Sequence, residues 1–423
     1  MRYFNYKDDK LYAEEVSIEE LANIYGTPLY VYSHKTLVRH FNAYKDAFAE
    51  FPHIICYALK ANSNLSILNI FGQLGGGADI VSGGELYRAD KAGIPPEKIV
   101  YAGVGKTPKE IEFALKKDIL MFNVESDQEL EEINKIAKNL NVKARIALRV
   151  NPDVDPMTHP YISTGLKENK FGIPIETALE HYQFAATLEN IEIIGIHKHI
   201  GSQITDLAPY VNAIERLLML ITRLKENGIS LKYLDIGGGL GIQYNQETPP
   251  TPAELINTIM PMCKDLGVTL IVEPGRSLVG NAGILVSKVL YTKKGTSIKG
   301  AQEFFIVDAG MNDLMRPSLY NAYHSILPVK IEKRPLVIAD IVGPICESGD
   351  FLCKKRKMPA LFQGELIAVM SAGAYGSSMS SNYNSRPMAA EVMVKGDKHY
   401  LVKERQSWEA LIIGETCGFS AID

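Results

Sequence analysis

A lysine ends an apolar run in the N-terminal part of this sequence. Residues 53–59, HIICYAL, predict a buried strand, and Lys60 stands directly before a turn, residues 61–64, that leads into a helix. Burying an unpaired ammonium is costly, so such a lysine either extends its head to water or uses its amine chemically. The second interpretation is an amine kept partly neutral and able to condense with a carbonyl.

Other groups that can bind anions, protons or flat rings lie at or just after the C-terminal ends of other predicted strands. They are Asp79, Arg149, Asn151, His199, the glycine run Gly237-Gly238-Gly239-Leu240-Gly241, Glu273 and Arg276. A glycine run can be a plain tight turn, but it also lets backbone N–H groups approach an anion closely. Its place after the seventh predicted strand favours a phosphate site.

An amine, a phosphate site and a strand-end carboxylate together match the needs of pyridoxal phosphate. The cofactor's aldehyde needs an amine, and its ring nitrogen needs an acid, which Glu273 can provide. A flat side chain such as His199 can cover one face of the ring. A metal site is the alternative, because His197 and His199 lie on one face of a strand, with Glu273 and Asp79 as possible further ligands.

The residues named so far need a fold that brings the ends of several strands together. Residues 35–276 alternate between strand and helix patterns. The predicted strands are His53–Leu59, Gly77–Val81, Ile99–Ala102, Ile119–Val124, Ala144–Asn151, Ile193–Ile200, Tyr233–Gly237 and Thr269–Glu273. The predicted helices between them include Gly83–Ala92, Thr107–Lys117, Ser126–Leu140, Thr177–Leu188, Pro209–Asn227 and Pro252–Leu266. Eight such units predict an α/β fold, a (β/α)₈ TIM barrel. A doubly wound open sheet is less favoured, because no G-x-G-x-x-G follows the first strand.

Beyond Arg276 the pattern changes to short strands separated by Gly, Pro and Ser turns. The predicted strands are Ile284–Tyr291, Glu303–Asp308, Leu336–Val342, Leu366–Met370, Ala389–Val394 and His399–Val402. They indicate an all-β domain, a small β-barrel or sandwich. The first 32 residues also read as β structure and pair with it in our interpretation. We therefore predict a barrel over residues 33–285 and a discontinuous β domain over residues 1–32 and 286–423.

Composition narrows the class of protein. The net charge is −4 in 423 residues, which does not favour nucleic-acid binding, and the basic run Lys354–Lys357 is interpreted as a solvated loop. Five scattered cysteines suit a reducing compartment rather than a disulfide framework. The N-terminal sequence has no apolar signal region, and no stretch is long and uncharged enough to span a bilayer. We expect a cytoplasmic protein with no membrane or nucleic-acid partner.

Five motifs together resemble those of a known family. They are Tyr57-Ala-Leu-Lys60-Ala-Asn62, His199-Ile-Gly-Ser202-Gln, Gly237-Gly-Gly-Leu-Gly241, Glu273-Pro-Gly-Arg276 and Gly343-Pro-Ile-Cys346-Glu347-Ser348. In this order, and over nearly the whole chain, they resemble the signatures of the pyridoxal-phosphate-dependent decarboxylases of the alanine-racemase fold (fold type III), especially those that act on diaminopimelate.

The resemblance implies a role for each motif. Lys60 is implied to bond covalently to the cofactor, His199 to stack on its ring and Glu273 to pair with its ring nitrogen. Residues around the cofactor, mostly at its phosphate, are implied to be Ser202, Gly238, Gly239, Gly275, Arg276 and Tyr375, with Asp79 orienting the lysine region. Decarboxylation is favoured over racemisation, because an acid at the ring nitrogen supports a fully delocalised carbanion. Cys346 is implied to return the proton to Cα, which a thiol can do.

The implied substrate is meso-2,6-diaminopimelate, decarboxylated at its D-centre to give L-lysine. Arg276, Arg316, Tyr320 and Tyr375 resemble the substrate-binding set, with the arginines suited to a carboxylate, and Glu347 resembles the partner of the distal ammonium. Related decarboxylases for carboxynorspermidine, ornithine or D-lysine remain alternatives, as do a catalytically silent homologue that binds partners and a His-x-His metal hydrolase.

The resemblance also implies an assembly. Members of the family complete each active site with a second subunit, so a homodimer with shared active sites is expected, with the Cys346-Glu347 segment reaching the partner's cofactor. Two further stretches, Arg149–Pro152 and Lys170–Gly172, match the family near the fifth strand and are expected to shape the site.

Overall fold

The chain divides into two compact units. The computed structural model describes residues 3–155, 170–294 and 303–418. One unit is formed by Thr36–Asn281, and the other by Met1–Lys35 together with Ala282–Asp423. We predict the junctions from sequence at residues 32/33 and 285/286.

The described elements of the N-terminal segment and the first unit alternate regularly. Before the barrel lie β1 (Phe4–Lys7), β2 (Lys10–Ala13), β3 (Val16–Ser17), α1 (Ile18–Tyr25), β4 (Leu29–Ser33) and α2 (His34–Phe48). Then follow β5 (His53–Ala58), α3 (Leu65–Gln73), β6 (Gly77–Ile80), α4 (Gly83–Lys91), β7 (Ile99–Tyr101), α5 (Pro108–Lys116), β8 (Met121–Val124), α6 (Asp127–Leu140), β9 (Ala144–Asn151), β10 (Ile173–Pro174), α7 (Ala178–Ala186), β11 (Ile191–His197), α8 (Ala208–Glu226), β12 (Tyr233–Asp235), α9 (Pro252–Cys263), β13 (Thr269–Val272) and α10 (Arg276–Val279).

Eight of these strands close into a parallel barrel, as predicted. Their order is β5-β6-β7-β8-β9-β11-β12-β13, and β13 pairs again with β5, while the short β10 extends from β9. All neighbouring pairs are parallel. Because the strands run the same way, the side chains at their carboxyl ends meet at one rim, where barrels of this kind place their reactive groups.

Polar caps start several helices of the barrel. The side chains of Ser82 and Ser126 accept hydrogen bonds from N–H groups in the first turns of α4 and α6. Thr107 and Thr251 form full capping boxes with glutamates three residues later, at the starts of α5 and α9. These contacts satisfy N–H groups that a helix start leaves without partners, so they fix where the strand-to-helix loops end.

The second unit is rich in β-sheet. After β14 (Gly283–Lys294) come β15 (Glu303–Val307), α11 (Arg316–Tyr320), β16 (Ile326–Pro328), β17 (Leu336–Val342), β18 (Phe351–Pro359), β19 (Leu366–Val369), β20 (Ala390–Lys395), β21 (Lys398–Lys403) and α12 (Trp408–Leu411). One large sheet has the path β18-β17-β15-β14-β4-β20-β21. Strand β4 lies between β14, to which it is antiparallel, and β20, to which it is parallel, whereas β1, β2 and β3 form a separate three-stranded sheet. Of the four N-terminal strands, β4 is therefore the one that joins this sheet.

Two local predictions are wrong. The segment Ile18–Tyr25, read as β structure, is a helix that buries Ile18, Leu21 and Ala22 on one face. This three-four spacing is a helical signal, but it spans only two turns. The run Lys354–Lys357 lies in strand β18 rather than in a loop. Since β18 ends the sheet path, its lysines are typical of an edge strand protected against pairing with another chain.

No helix in the described part of the chain combines the length and the apolar character needed to cross a bilayer.

Candidate active site

Lys60 stands at the rim of the barrel beside a buried carboxylate. A single 3₁₀ turn, Leu59–Ala61, follows β5 and carries the lysine. Its Nζ donates a hydrogen bond to Oδ2 of Asp79 on the neighbouring strand β6, at 2.8 Å. The Lys60 side chain is 35% exposed, whereas that of Asp79 is fully buried. The amine is therefore held at one position while it stays accessible.

The pKa of Asp79 shows the cost of this arrangement. Burial, and then the nearby Glu273 carboxylate, raise the pKa of Asp79 to about 7, although the Lys60 ammonium opposes the shift. A carboxyl group with this pKa is partly protonated near neutral pH. It can exchange protons with its surroundings in the pH range in which enzymes commonly work.

Glu273 is a buried carboxylate that stays ionised. It follows β13, and its oxygens lie 3.4 Å from Nδ2 of Asn123 and 3.4 Å from Nε2 of His197. Burial alone would raise the pKa of Glu273, but its hydrogen-bond partner His197, followed by the Lys60 ammonium, outweighs burial and lowers the pKa well below the usual range. The rim therefore presents a fixed negative charge opposite any ring placed there.

Two partners of this carboxylate were not identified from sequence. Asn123, in β8, binds Glu273 directly, and Asp235, the last residue of β12, lies close to both Glu273 and His197. Ligand atoms of His197, Asp235 and Glu273 lie within 4.8 Å of one another. Burial, and then Glu273, raise the pKa of Asp235 well above its ordinary value. Their position, as polar residues at or near the ends of short buried strands, was the sequence signal that could have identified both.

His197 and His199, the two histidines considered as metal ligands on one strand, contact different partners in the structure. His197 faces Glu273, whereas Nδ1 of His199 accepts a hydrogen bond from the backbone N–H of Gly238 at 3.2 Å. A ring nitrogen that accepts this bond carries no proton, so the His199 imidazole is neutral. Burial, followed by Lys60, accordingly lowers its pKa well below the usual value. His199 thus offers a neutral, flat ring at the rim.

The glycine run after β12 is required by packing. A Cβ atom added at Gly238 would lie 2.2 Å from the carbonyl oxygen of Glu273. Gly239 has φ of +107°, and a Cβ there would lie 2.6 Å from the carbonyl oxygen of Gly201. Besides the tight turn and the anion site that the sequence allows, the glycines therefore let the loops after β11, β12 and β13 lie against each other.

Arg276 connects these loops through its guanidinium. It is the first residue of α10, directly after Gly275, and is only 6% exposed. Its two terminal nitrogens donate hydrogen bonds to Oγ of Ser202 at 2.9 Å and to the hydroxyl of Tyr244 at 2.8 Å. Tyr244 was not identified from sequence, because it stands in a loop without a motif. A fixed, buried cation beside a hydroxyl can hold a phosphate or a carboxylate.

Arg149, which is expected to help shape the site near β9, forms a buried ion pair with Glu125. Nη1 of Arg149 donates to Oε1 of Glu125 at 2.7 Å, and the other oxygen of Glu125 accepts from the backbone N–H of Gly172 at 2.9 Å. The Arg149 guanidinium also lies 4.7 Å from the centre of the Phe171 ring. These contacts fix the 170–172 segment to the end of β9.

In the second unit, Cys346 and Glu347 are exposed on a turn between β17 and β18. The backbone N–H of Cys346 donates to Oδ1 of Asn384 at 2.8 Å. The nearby Glu347 carboxylate raises the pKa of the Tyr383 hydroxyl. A thiol and a carboxylate on one fixed turn can serve as a proton donor and a cation partner.

Arg316 is buried rather than on the surface, where its type alone would place it. It begins α11, is 6% exposed, and donates to Nε2 of His324 at 2.9 Å. Nδ1 of the same histidine lies 2.9 Å from the carbonyl oxygen of Met370. Tyr320 ends α11. Tyr375 has φ of +55°, a left-handed conformation that is uncommon for a tyrosine and frequent at functional sites.

The barrel rim fits pyridoxal phosphate. It brings together the residues that such a cofactor needs: an accessible amine, an ionised carboxylate, a neutral flat ring and a buried cation beside a hydroxyl, supplied by Lys60, Glu273, His199, Arg276 and Ser202. Asp79 and the loop glycines lie among them. Arg316, Tyr320, Cys346, Glu347 and Tyr375 belong to the other unit.

The barrel fold and the residues at its rim together indicate a pyridoxal-phosphate enzyme, and comparison with known proteins identifies the family. Residues 34–280, more than half of the chain, match the family "Pyridoxal-dependent decarboxylase, pyridoxal binding domain", so the chain is a pyridoxal-dependent decarboxylase. Diaminopimelate decarboxylase from Aquifex aeolicus is 54% identical, over 97% of this chain and 96% of the relative. The enzyme of the same name from Vibrio cholerae is 51% identical, over 97% and 98%. A crystal structure of Helicobacter pylori diaminopimelate decarboxylase complexed with L-lysine is 46% identical, covers 93% of this chain and 98% of that one, and has a TM-score of 0.89. This chain belongs to the diaminopimelate decarboxylase family.

Proposed function

We propose that the protein removes carbon dioxide from the D-centre of meso-2,6-diaminopimelate and releases L-lysine, with pyridoxal phosphate as cofactor. The observation that carries this proposal is the similarity, over nearly the full length of both chains, to diaminopimelate decarboxylases. This reaction would complete a route of lysine biosynthesis. The barrel rim supports it, because its charges match a positively charged ring and a phosphate.

Three residues of the rim would hold the reactive end of the cofactor. When bound, pyridoxal phosphate supplies a ring that accepts the electron pair left behind when carbon dioxide departs. Lys60 would hold it covalently through its amine, which Asp79 already orients at 2.8 Å. Glu273, ionised in its polar pocket, would keep the ring nitrogen protonated. The neutral His199 ring can cover a ring face without repelling that positive charge.

The phosphate would be held at the loops after β11, β12 and β13. Arg276 supplies the cation and Ser202 a hydroxyl. Gly238, Gly239 and Gly275 let the backbone lie close to the group, because larger residues would push these loops apart. Tyr375 would complete this shell in our proposal. The positions agree with the general preference of parallel barrels for phosphate sites in the last two loops.

Proton return and substrate recognition are assigned to the second unit. Cys346 would donate a proton to Cα after carbon dioxide has left, and Glu347 would pair with the distal ammonium. Arg276, Arg316, Tyr320 and Tyr375 would bind the rest of the substrate, with the planar Arg316 guanidinium suited to the distal carboxylate. His324 supports that role, since it fixes the guanidinium at 2.9 Å.

We further propose a homodimer with shared active sites, in which the Cys346-Glu347 turn reaches the cofactor of the partner. The exposure of both residues in the single chain supports this assembly. A catalytic thiol that is open to solvent in one subunit gains protection from water if a second subunit covers it.

The test is decarboxylation of meso-diaminopimelate, followed as released carbon dioxide and lysine, in wild-type protein and in Arg316→Ala. Losing a charge-assisted hydrogen bond to the distal carboxylate should lower kcat/KM for diaminopimelate by about 10- to 100-fold. D-lysine lacks that carboxylate, so any turnover of D-lysine should not fall in the variant. Arg316→Lys, which keeps the charge but not the planar fork, should be intermediate.

Two results would contradict the proposed substrate. One is a kcat/KM for diaminopimelate that Arg316→Ala leaves unchanged. The other is a wild-type preference for ornithine, D-lysine or carboxynorspermidine, which would assign the protein to a related decarboxylase. Absorbance of bound cofactor and circular dichroism of each variant control for loss of folding.

A further inference from the structure

The turn that carries Cys346 is held by two side chains at two consecutive backbone N–H groups. The N–H of Ile345 donates to Oδ2 of Asp350 at 2.7 Å, and the N–H of Cys346 donates to Oδ1 of Asn384 at 2.8 Å. Asp350 is 4% exposed, whereas Asn384 is exposed. One contact is therefore part of the interior, and the other is made at the surface, where water could replace it.

The segment that presents Asn384 has an unusual backbone. Asn384 has φ of 55° and ψ of 29°, and Ser385, the next residue, has φ of 53°. Two consecutive left-handed residues without glycine are unfavourable, although asparagine tolerates this conformation better than most residues. The conformation directs the Asn384 amide oxygen at the Cys346 N–H. Strained backbone at an exposed turn is an indication of a functional constraint.

The turn that presents Asn384 is itself anchored to the interior of the same unit. The N–H of Ser381 donates to the carbonyl oxygen of Asn312 at 2.9 Å, and Asn312 is buried. The Asn384 amide oxygen is therefore held beside the Cys346 N–H.

We propose that Asn384 is a positioning residue for Cys346. The proposal rests on the proposed function, in which Cys346 donates a proton. Loss of the Asn384 amide frees the backbone at the thiol and slows proton return, which lowers kcat.

The first measurement is hydrogen exchange at single-residue resolution on the dimeric full-length protein. Asn384→Gly removes the acceptor and keeps the left-handed backbone free of strain, so the Cys346 amide should exchange about two- to tenfold faster, as expected for one lost hydrogen bond. Asn384→Asp keeps an oxygen acceptor and should restore protection. The Ile345 amide, held by Asp350, is the internal reference and should not change. Ser385→Gly is the matched control, since it alters the same turn without removing this acceptor.

The second measurement is the division of the effect between kcat and KM. Asn384→Gly should lower kcat about two- to tenfold at nearly constant KM. Asn384→Asp should return kcat to about half of the wild-type value or more. A purely structural turn would instead change both constants together.

Outcomes that overturn the proposal are distinct from a failure of the proposed function. An unchanged Cys346 amide in Asn384→Gly, or equal acceleration at Ile345 and Cys346, would exclude the positioning role even in an active enzyme. Absence of diaminopimelate turnover in wild-type protein would instead reject the proposed function, and the exchange result would still report on the contact.

Discussion

At the scale of single residues, two carboxylates at the same rim have opposite pKa shifts. Burial raises the pKa of Asp79 to about 7, whereas the His197 ring and the Lys60 ammonium lower the pKa of Glu273 despite equal burial. The difference follows from partners: Glu273 has His197 and Asn123, whereas Asp79 has a single lysine that is itself partly exposed. One acid can therefore change its protonation near neutral pH, and the other keeps its charge.

A pH-dependent stability follows from Asp79. An unfolded aspartate has a pKa of about 3.9, and in the folded protein the pKa is about 7. Between these values the folded state binds more protons than the unfolded state, so the contribution of Asp79 to the free energy of unfolding falls as pH rises. Between about pH 5 and pH 7.5, the melting temperature of wild type should therefore fall further than that of Asp79→Asn. The two decreases should differ by at least about 2–4 °C, which is the shift that about 1 kcal/mol produces in a unit of this size.

The control for this prediction is Asp90→Asn. Asp90 is exposed and pairs with Lys117 on the surface, so its substitution should leave the slope of melting temperature against pH unchanged. All proteins are compared without cofactor. Parallel slopes for wild type and Asp79→Asn would show that the carboxyl is not perturbed.

Sequence identified the rim residues whose place at strand ends is unusual for their type. Lys60, Glu273 and His199 are of this kind, and their motifs occur in order along the chain. Asn123, Tyr244 and Asn384 were not identified, because each acts through a contact with a residue far away in sequence. Asn384 and Cys346 are 38 residues apart, and no local pattern encodes their hydrogen bond.

At the scale of elements, periodicity predicted all eight barrel strands. Parallel strands that are covered on both faces read as apolar runs, and their spacing by amphipathic helices distinguishes them from an antiparallel sheet. Periodicity did not predict α1, which is too short to repeat its pattern, or β18, whose lysines resemble a loop. For β18, pairing with β17 rather than local preference decides the structure.

The loops between elements give a steric prediction at Gly238. Alanine there would place its Cβ 2.2 Å from the carbonyl oxygen of Glu273, so the loop after β12 must move away from the loop after β13. Overpacking of this kind costs about 1–3 kcal/mol, and Gly238→Ala should weaken cofactor binding by about 10- to 100-fold. Titration of the apoprotein with pyridoxal phosphate, followed by absorbance, measures the effect.

Gly105→Ala provides the matched control for this steric effect. A Cβ at Gly105 meets no atom within 4 Å, and its φ is not in the left-handed region. Its cofactor affinity should equal that of wild type. If both alanine variants bind cofactor normally, the close approach of the two loops is not required for binding.

At the scale of the whole molecule, the proposed shared sites predict complementation between two inactive variants. Lys60→Ala removes the cofactor's lysine and Cys346→Ala removes the proton donor. If each site combines Lys60 of one subunit with Cys346 of its partner, mixed dimers contain one intact site. Random exchange of subunits should then restore about one quarter of wild-type activity.

The same mixture distinguishes the alternative assembly. If each site draws both residues from one chain, every mixed dimer contains two damaged sites, and activity stays at the level of the separate variants. Subunit exchange is verified by mass spectrometry of differently labelled proteins, so that a lack of recovery cannot be attributed to a lack of mixing.

The position of β4 has a consequence for how the protein is made. This strand, LYVYS, is fully buried between β14 and β20, yet about 360 residues of chain separate it from β20. At a synthesis rate of about 5–20 residues per second, it waits roughly 20–70 seconds on the ribosome before its second neighbour is translated. During that time an aromatic strand with free edges is open to other nascent chains. We therefore expect ribosome-associated chaperones to bind the N-terminal segment. Chains whose translation ends early should aggregate.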